Sequence, residues 1–296
     1  MSIIEDILLL THIKHSINAK LMENKIIPAL WFDNNAKEAL DFYCDILPHS
    51  SITKDNGVAV EASLMGVNFI GINGGNAFKP NPSISFMIVF ENRDELDLTW
   101  NGFLEEGKVL MPLQEYPFSA HYGWIADKFG VSWQLYLGKL SDVNEQSIIP
   151  TLMFAHTQQG NCERALAFYA DLFKNFHAQG AVHYPEGPMK GQVMHAQFQA
   201  NNTTMAAMDS GTEMDFTFTE GVSLTILCKD QTEIDYYWDK IIRTGSESQC
   251  GWCKDEFGVS WQVVPNNIAK LLQHNKNAEK ALMGMKKIVI SELENA

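Results

Sequence analysis

Apolar and polar positions alternate along the chain with two different periods, and together they predict strands and helices in a fixed order. Apolar runs of strand length and strand composition occupy 26–32 (IIPALWF) and 83–90 (SISFMIVF). Segments 58–66 and 67–74 alternate apolar and polar residues on either side of a glycine, which predicts a hairpin. Segment 34–47 has apolar residues at helical spacing. The order strand–helix–strand–strand–strand defines a βαβββ module, and a second module follows it.

This pattern occurs twice, which predicts a duplicated domain. Between the copies the spacing grows from 122 to 126 to 128 residues, so the second copy carries small loop insertions. Three pairs of segments carry the repeat: IIPALWF at 26–32 with IIPTLMF at 148–154, EALDFY at 38–43 with RALAFY at 164–169, and GWIADKFGVSWQ at 123–134 with GWCKDEFGVSWQ at 251–262.

The length of 296 residues exceeds the usual size of one domain and favours two. We place the units at 25–140 and 147–265, each with two modules, joined by the polar stretch 138–147. Residues 1–24 have a helical apolar stripe and predict an N-terminal helix packed on the repeat. Residues 266–296 predict a second packed segment, a C-terminal helix followed by a short strand at KKIVI. The fold class is α+β, with mixed sheets packed by helices.

Charge and cysteine content limit the classes of binding partner and the cellular compartment that we expect. A net charge of −14 repels phosphate backbones and anionic lipid surfaces, so we expect neither nucleic acid nor a membrane as partner. The sequence has no apolar run of about 18–20 residues and no basic segment typical of a secretory signal at its start. Five cysteines in a chain of this length are expected to be reduced thiols, which favours the cytoplasm.

With P-x-L-x-F, ALxFY and GWxxDxFGVSWQ in both units, the chain resembles two tandem domains of the vicinal oxygen chelate superfamily, the glyoxalase and bleomycin-resistance fold. More narrowly, it resembles the PhnB-like group. The resemblance implies that two fused units replace the dimer of single-unit relatives, and it leaves a further homodimer open.

Proteins of this group are often labelled demethylubiquinone methyltransferases, and the sequence does not support that activity here. The glycine-rich stretch GINGGN at 71–76 leads into AFKPNP. Two prolines there are incompatible with the helix that a cofactor-binding loop of that kind requires. The sequence therefore predicts no organic cofactor.

The resemblance also implies where a divalent metal would be held in the cup of the sheet. Members of the superfamily that bind a metal use His, His or Glu, and Glu on three strands. Carried onto this chain, these positions fall on neutral residues in both units, namely Pro28 and Pro150, Ser83–Ser85 and Ser223, and Gln134 and Gln262. Proline offers no ligand atom, and glutamine lacks the charge that holds a hard cation. We therefore predict no metal.

Six residues are candidates for binding a polar organic ligand in the cups: Gln134, Gln262, Glu61, His195, Trp124 and Trp252. The two glutamines occupy the ligand position of the superfamily, and an amide there either binds a ligand or satisfies buried polar atoms. Glu61 and His195 are taken as matching strand positions, 134 residues apart. Strand alternation places Trp133 and Trp261 on the opposite, core side.

Two further patterns are assigned to structure rather than to chemistry. Asp127 and Asp255 precede a turn in both copies and are expected to accept turn N–H groups. Cys250 and Cys253 form a C-x-x-C that enters a strand, which is the wrong setting for a redox pair.

Three functions remain open from the sequence. The first is a PhnB-like protein that binds a small organic molecule without a metal. The second is a metal-dependent lyase, isomerase or dioxygenase of the superfamily, and the third is a structural or partner-binding scaffold. The sequence does not decide whether the protein is an enzyme.

Overall fold

The computed structural model describes residues 26–273 and 275–296, so the helix expected at 1–24 lies outside the described residues. Sixteen strands are present in this part of the chain: β1 (Ile26–Phe32), β2 (Ser51–Asp55), β3 (Ala59–Leu64), β4 (Val67–Asn73), β5 (Ile84–Phe90), β6 (Lys108–Tyr116), β7 (Ser119–Ala126), β8 (Ser132–Leu137), β9 (Ile148–Phe154), β10 (His177–His183), β11 (Val193–Ala200), β12 (Thr203–Asp209), β13 (Val222–Cys228), β14 (Ser246–Glu247), β15 (Trp252–Lys254) and β16 (Ser260–Pro265). The α-helices are α1 (Ala36–Ile46), α2 (Arg93–Phe103), α3 (Cys162–Leu172), α4 (Gln231–Ile242), α5 (Ile268–Leu272), α6 (Lys276–Gly284) and α7 (Ile290–Glu294).

The strands form two eight-stranded mixed sheets, and each sheet combines one module from each sequence unit. The first sheet has the order β14-β15-β16-β13-β1-β4-β3-β2, and the second has the order β10-β11-β12-β9-β5-β8-β7-β6. The modules join through antiparallel pairs, β1 with β13 and β5 with β9. The predicted α+β class, with tandem glyoxalase-like domains built from paired βαβββ modules, is confirmed. The paired modules of a sheet come from different units, so one chain contains a pseudo-dimer.

The helices of the modules pack against one face of each sheet and form a shared aromatic core. Trp133 of β8 stacks on Phe103 of α2 at a centroid distance of 5.2 Å and contacts Phe69 of the other sheet at 6.1 Å. Trp133 and its counterpart Trp261 are both fully buried. The prediction that these two tryptophans are core residues is confirmed, and their burial ties the two sheets of a unit together.

The hairpin predicted at Gly66 is present, and its geometry explains the residues used. Met65 and Gly66 both have positive φ, 48° and 84°, between β3 and β4. In the second unit Asn201 and Asn202 have φ of 47° and 62° at the same place. Two consecutive left-handed residues are typical of the tight type I′ turn, which glycine and asparagine tolerate best.

The C-terminal segment packs on the repeat, as expected, but the strand expected at KKIVI is absent. Residues 286–289 form an irregular segment that bends at Lys286 and Lys287, and α7 begins at Ile290. The Gln231 side chain accepts from the Ile290 N–H and donates to the Ile288 carbonyl, which holds this segment and starts the helix. Ile288 and Leu293 are buried against Val264 of β16. None of the helices that the structure describes is long and apolar enough to cross a membrane.

Candidate functional site

The repeated GWxxDxFGVSWQ segment is organised around its aspartate, which lies in the core. Oδ1 of Asp127 accepts the backbone N–H groups of Phe129 and Val131 at 2.8 and 3.0 Å. Its Oδ2 accepts the Tyr43 hydroxyl at 2.7 Å and the Trp133 indole N–H at 2.8 Å. Four donors therefore connect the turn, the strand after it and α1 to one carboxylate. Each carboxylate oxygen accepts two hydrogen bonds, so the buried group has the partners that burial requires.

The second copy repeats this arrangement around Asp255, with Tyr169 and Trp261 as its side-chain donors at 3.0 Å each. Burial raises the pKa of both aspartates to about 6, and the four donors oppose this shift. The same burial, next to a carboxylate, raises the pKa of Tyr43 and Tyr169 well above the usual range. The aspartates thus stabilise the turn, as expected from the sequence. They also connect the turn to side chains across the core.

Each sheet has a second face, opposite the module helices, which we call its cup. In the second sheet, Gln134 of β8 faces the cup and is 4% exposed. Its Oε1 accepts the Tyr122 hydroxyl at 2.8 Å and its Nε2 donates to Ser85 Oγ at 2.7 Å. Tyr122 and Trp124 are buried with Met153 in one apolar cluster. The second cup is therefore filled by side chains, and its glutamine is fully used by the protein.

The first cup differs at the corresponding glutamine. Gln262 of β16 is partly exposed, and its Nε2 donates to Ser223 Oγ at 2.9 Å. Within the described part of the chain, its Oε1 accepts no hydrogen bond. The position of Tyr122 is taken by Cys250, whose thiol points instead to the Leu282 carbonyl. With a cysteine in place of the tyrosine, the Gln262 oxygen has no donor among the residues that the structure describes.

The two candidate tryptophans also differ. The Trp124 indole N–H donates to Ser132 Oγ at 2.7 Å, inside the second cup. Trp252 is partly exposed in the first cup and contacts Trp31 edge to face, at a centroid distance of 5.9 Å. Its indole N–H has no acceptor among the residues that the structure describes. Trp252 therefore presents a donor and an aromatic surface, whereas Trp124 presents neither.

Glu61 and His195 both lie on cup faces, but they do not occupy matching positions. Glu61 pairs with Ile70 across the hairpin, and Ile70 pairs with Ala29 of β1. In the other sheet the residue with this register is Gln197, which pairs with Ala206 beside Thr151. The match assumed at a spacing of 134 residues is therefore wrong by two positions, because the tight turns align the hairpins at a spacing of 136 (197 − 61).

The surroundings of these two residues are ordinary for strand positions. Glu61 forms an ion pair with Lys54 at 3.4 Å, with both side chains largely exposed. Burial lowers the pKa of His195, which favours its neutral form. Neither residue is brought next to a glutamine of the candidate sites by the strand register, since each lies on the far module of its sheet.

The positions carried over for a metal need one correction. Alternation along β1 puts Pro28 on the same face as Leu30, which belongs to the core, so Pro28 does not face the cup. The cup-facing residues next to the two prolines are Ala29 and Thr151. Among the described residues, no group of three or more His, Cys, Asp or Glu side chains could hold a metal ion. The cup residues Ser223 and Gln262 offer neutral oxygens, which suit a polar organic group better than a hard cation.

Two glycines of the stretch GINGGN are explained by packing. A side chain at Gly71 would meet Ala36 and Leu40 of α1, and one at Gly74 would overlap the Trp31 ring. The Trp31 indole N–H donates to the Gly75 carbonyl at 2.8 Å. Residues 74–83 form a loop without a helix. The glycines therefore seat a helix and a cup tryptophan, and they do not form a cofactor loop.

Comparison with known proteins agrees with this geometry. The sequence profile of a family described as 3-demethylubiquinone-9 3-methyltransferase matches residues 24–136 and 146–264. The chain belongs to this family. A PhnB protein from Bacillus cereus that carries the same methyltransferase description is 33% identical over 37% of this chain and 96% of its own, with a TM-score of 0.34. Among proteins with curated descriptions, none matches.

This chain also shares its fold with glyoxalase I. The enzyme from Zea mays is 12% identical, with a TM-score of 0.54 over 84% of this chain and 95% of its own. At this identity the likeness concerns the fold alone. The chain is thus a PhnB-like, glyoxalase-fold protein with two tandem domains, and the described residues contain no doubly wound sheet of the kind expected for a methyltransferase.

Three residues of the first cup were not singled out from the sequence, namely Thr225, Trp31 and Phe78. Trp31 and Phe78 contact each other edge to face at 5.1 Å. Thr225 lies directly beside Gln262 in the register of β13 and β16. The alternation of β13 could have placed Thr225 on the face of Ser223, but the partner strand of β13 was not predictable from local patterns.

Proposed function

We propose that this protein binds a small organic molecule in the first cup, without a metal. The observation that carries the proposal is the difference between the two equivalent glutamines. Gln134 is buried, and its amide both accepts and donates a hydrogen bond within the protein. The amide oxygen of Gln262, in a partly exposed cup, accepts none from the described residues. An amide oxygen in a partly exposed cup is open to water, and it can accept a hydrogen bond from a ligand instead.

The lining of the first cup supports the same proposal. Trp31, Trp252 and Phe78 give it an aromatic wall, and Ser223 orients the Gln262 amide. Sites for small molecules typically combine apolar and aromatic walls with a few polar groups that fix the orientation of the ligand. The second cup then has a structural role. The proposal concerns binding and assigns no reaction. It includes a cytoplasmic location, because five cysteines in a chain of this length are expected to be reduced thiols.

A fragment screen with a matched pair of variants tests the proposal. Ligand-observed NMR on the full chain should identify fragments whose signals depend on Gln262. The Gln262→Ala variant should weaken these fragments about three- to tenfold, because one net hydrogen bond is lost. The Gln134→Ala variant is the control and should leave their affinity unchanged. Fragments that bind equally well to both variants, or that respond only to Gln134→Ala, would refute a site in the first cup.

A further inference from the structure

The first cup contains a buried hydroxyl that forms no hydrogen bond with the described part of the chain. Thr225 is 2% exposed, and its Oγ1 has no hydrogen-bond partner among the described residues. It lies directly across from Gln262 in the parallel pair of β13 and β16. In the second sheet the same place, across from Gln134, is occupied by Met87. A hydroxyl at this position therefore distinguishes the first cup from the filled one, where an apolar side chain packs instead.

Three polar atoms that have no partner among the described residues thus belong to one cup: Thr225 Oγ1, Gln262 Oε1 and the Trp252 indole nitrogen. Trp252 pairs with Gln262 from the other side, so Gln262 lies between the other two residues in the sheet. Neighbouring strands are about 5 Å apart, so one compact ligand group can reach two of these atoms together. The amide oxygen can only accept, the indole can only donate, and the hydroxyl can do either.

None of the three residues that carry these atoms is charged. The nearby Lys254 of β15 forms an ion pair with Glu220 at 2.8 Å. Within the described residues, Thr225, Gln262 and Trp252 thus offer only neutral hydrogen-bonding groups. Burial of a charged ligand group beside neutral partners is unfavourable, because its hydration is lost without a compensating opposite charge.

We infer that the first cup selects a neutral planar ligand with an N–H and a C=O side by side, as in a lactam, a pyridone or a cyclic urea. The N–H would donate to Gln262 Oε1, and the C=O would accept from Thr225 Oγ1 or from the Trp252 indole. The planar ring would lie against the aromatic wall of Trp31 and Trp252. This inference rests on the proposed function and adds the chemical class of the ligand.

Three probes of similar size test the class: 2-quinolinone, N-methyl-2-quinolinone and quinoline-2-carboxylate. We expect ligand-observed NMR to show binding of 2-quinolinone to the full chain. Methylation of the nitrogen removes the donor and should weaken binding at least threefold, and the carboxylate should bind more weakly still. Thr225→Val keeps the shape of the side chain and should weaken 2-quinolinone about three- to tenfold. Thr151→Val, in the second cup, is the control and should not change its affinity.

A second readout of Thr225→Val does not depend on any probe. Because the hydroxyl is buried and has no partner in the described part of the chain, its removal should leave the thermal midpoint unchanged or raise it. In Thr151→Val the midpoint should fall, since that hydroxyl donates to the Ile149 carbonyl. A lower midpoint for Thr225→Val would show that the hydroxyl is used by the fold, and it would overturn the inference.

The failures of the two proposals are distinguishable. If quinoline-2-carboxylate binds as tightly as 2-quinolinone and both depend on Gln262, the neutral class is wrong and the ligand site stands. If N-methyl-2-quinolinone binds as tightly as 2-quinolinone, the N–H contact is wrong. If none of the three probes binds, the class is again overturned, and the fragment screen with Gln262→Ala and Gln134→Ala decides on the site itself.

Discussion

Replacement of Asp127 by asparagine removes one titrating group from the core and leaves a side chain of nearly the same shape. In the folded protein burial raises the pKa of Asp127 from 3.8 to about 6. The folded state therefore binds a proton more tightly than the unfolded state between these values. The stability that this proton contributes is fully present below pH 3.8 and is lost as the pH rises through about 6.

The magnitude follows from the size of the shift. A difference of roughly two pKa units corresponds to about 3 kcal/mol, at 1.36 kcal/mol for each unit. Most of this is lost between pH 4 and pH 7, so over that range the unfolding free energy of the wild type should fall by about 2–3 kcal/mol more than that of Asp127→Asn. Other titrating groups are common to both proteins, so they cancel in the comparison. Because Asp255 has the same surroundings, the double variant with Asp255→Asn should show about twice the difference.

The assay is urea unfolding followed by far-UV circular dichroism at several pH values, with linear extrapolation to water. Parallel pH profiles for the wild type and Asp127→Asn would refute the reasoning. A wild type that gains stability relative to the variant as the pH rises would also refute it. That result would mean that the four donors of Asp127 outweigh its burial and lower its pKa.

Three further predictions concern the cup glutamines, the metal content and the C-terminal segment. Gln134→Ala should lower the unfolding free energy by about 2–4 kcal/mol, because two buried groups lose a partner, whereas Gln262→Ala should cost less than about 1 kcal/mol in urea unfolding. Elemental analysis of the purified protein should find no stoichiometric transition metal, and about one metal for each unit would contradict the neutral donor set. Deletion of 266–296 should lower the thermal midpoint by about 5–10 °C, since it exposes the apolar cluster at Val264, and an unchanged midpoint would refute this packing.

Local patterns determined the modules of this protein, because strand and helix periods depend only on neighbouring residues. The repeat at a spacing of 128 residues, the hairpin at Gly66 and the core position of Trp133 all follow from alternation and turn chemistry. The neutral residues at Gln134 and Gln262 were also evident from the sequence. A local pattern does not determine which strand lies beside which. The strand predicted at KKIVI is wrong for a similar reason, because hydrogen bonds with the distant Gln231 decide the conformation of that segment.

Only the tertiary structure decided how the modules combine and how the two cups differ. The pairing of β1 with β13 joins residues about 200 positions apart, and no period along the chain encodes such a partner. The pairing of β13 with β16 places Thr225 beside Gln262, and the registers of the two hairpins make Glu61 correspond to Gln197. The two GVSWQ segments are identical in sequence, yet among the described residues the Gln134 oxygen accepts a hydrogen bond and the Gln262 oxygen accepts none. The difference arises because hydrogen-bond partners such as Tyr122 come from neighbouring strands, and the fold brings those strands together.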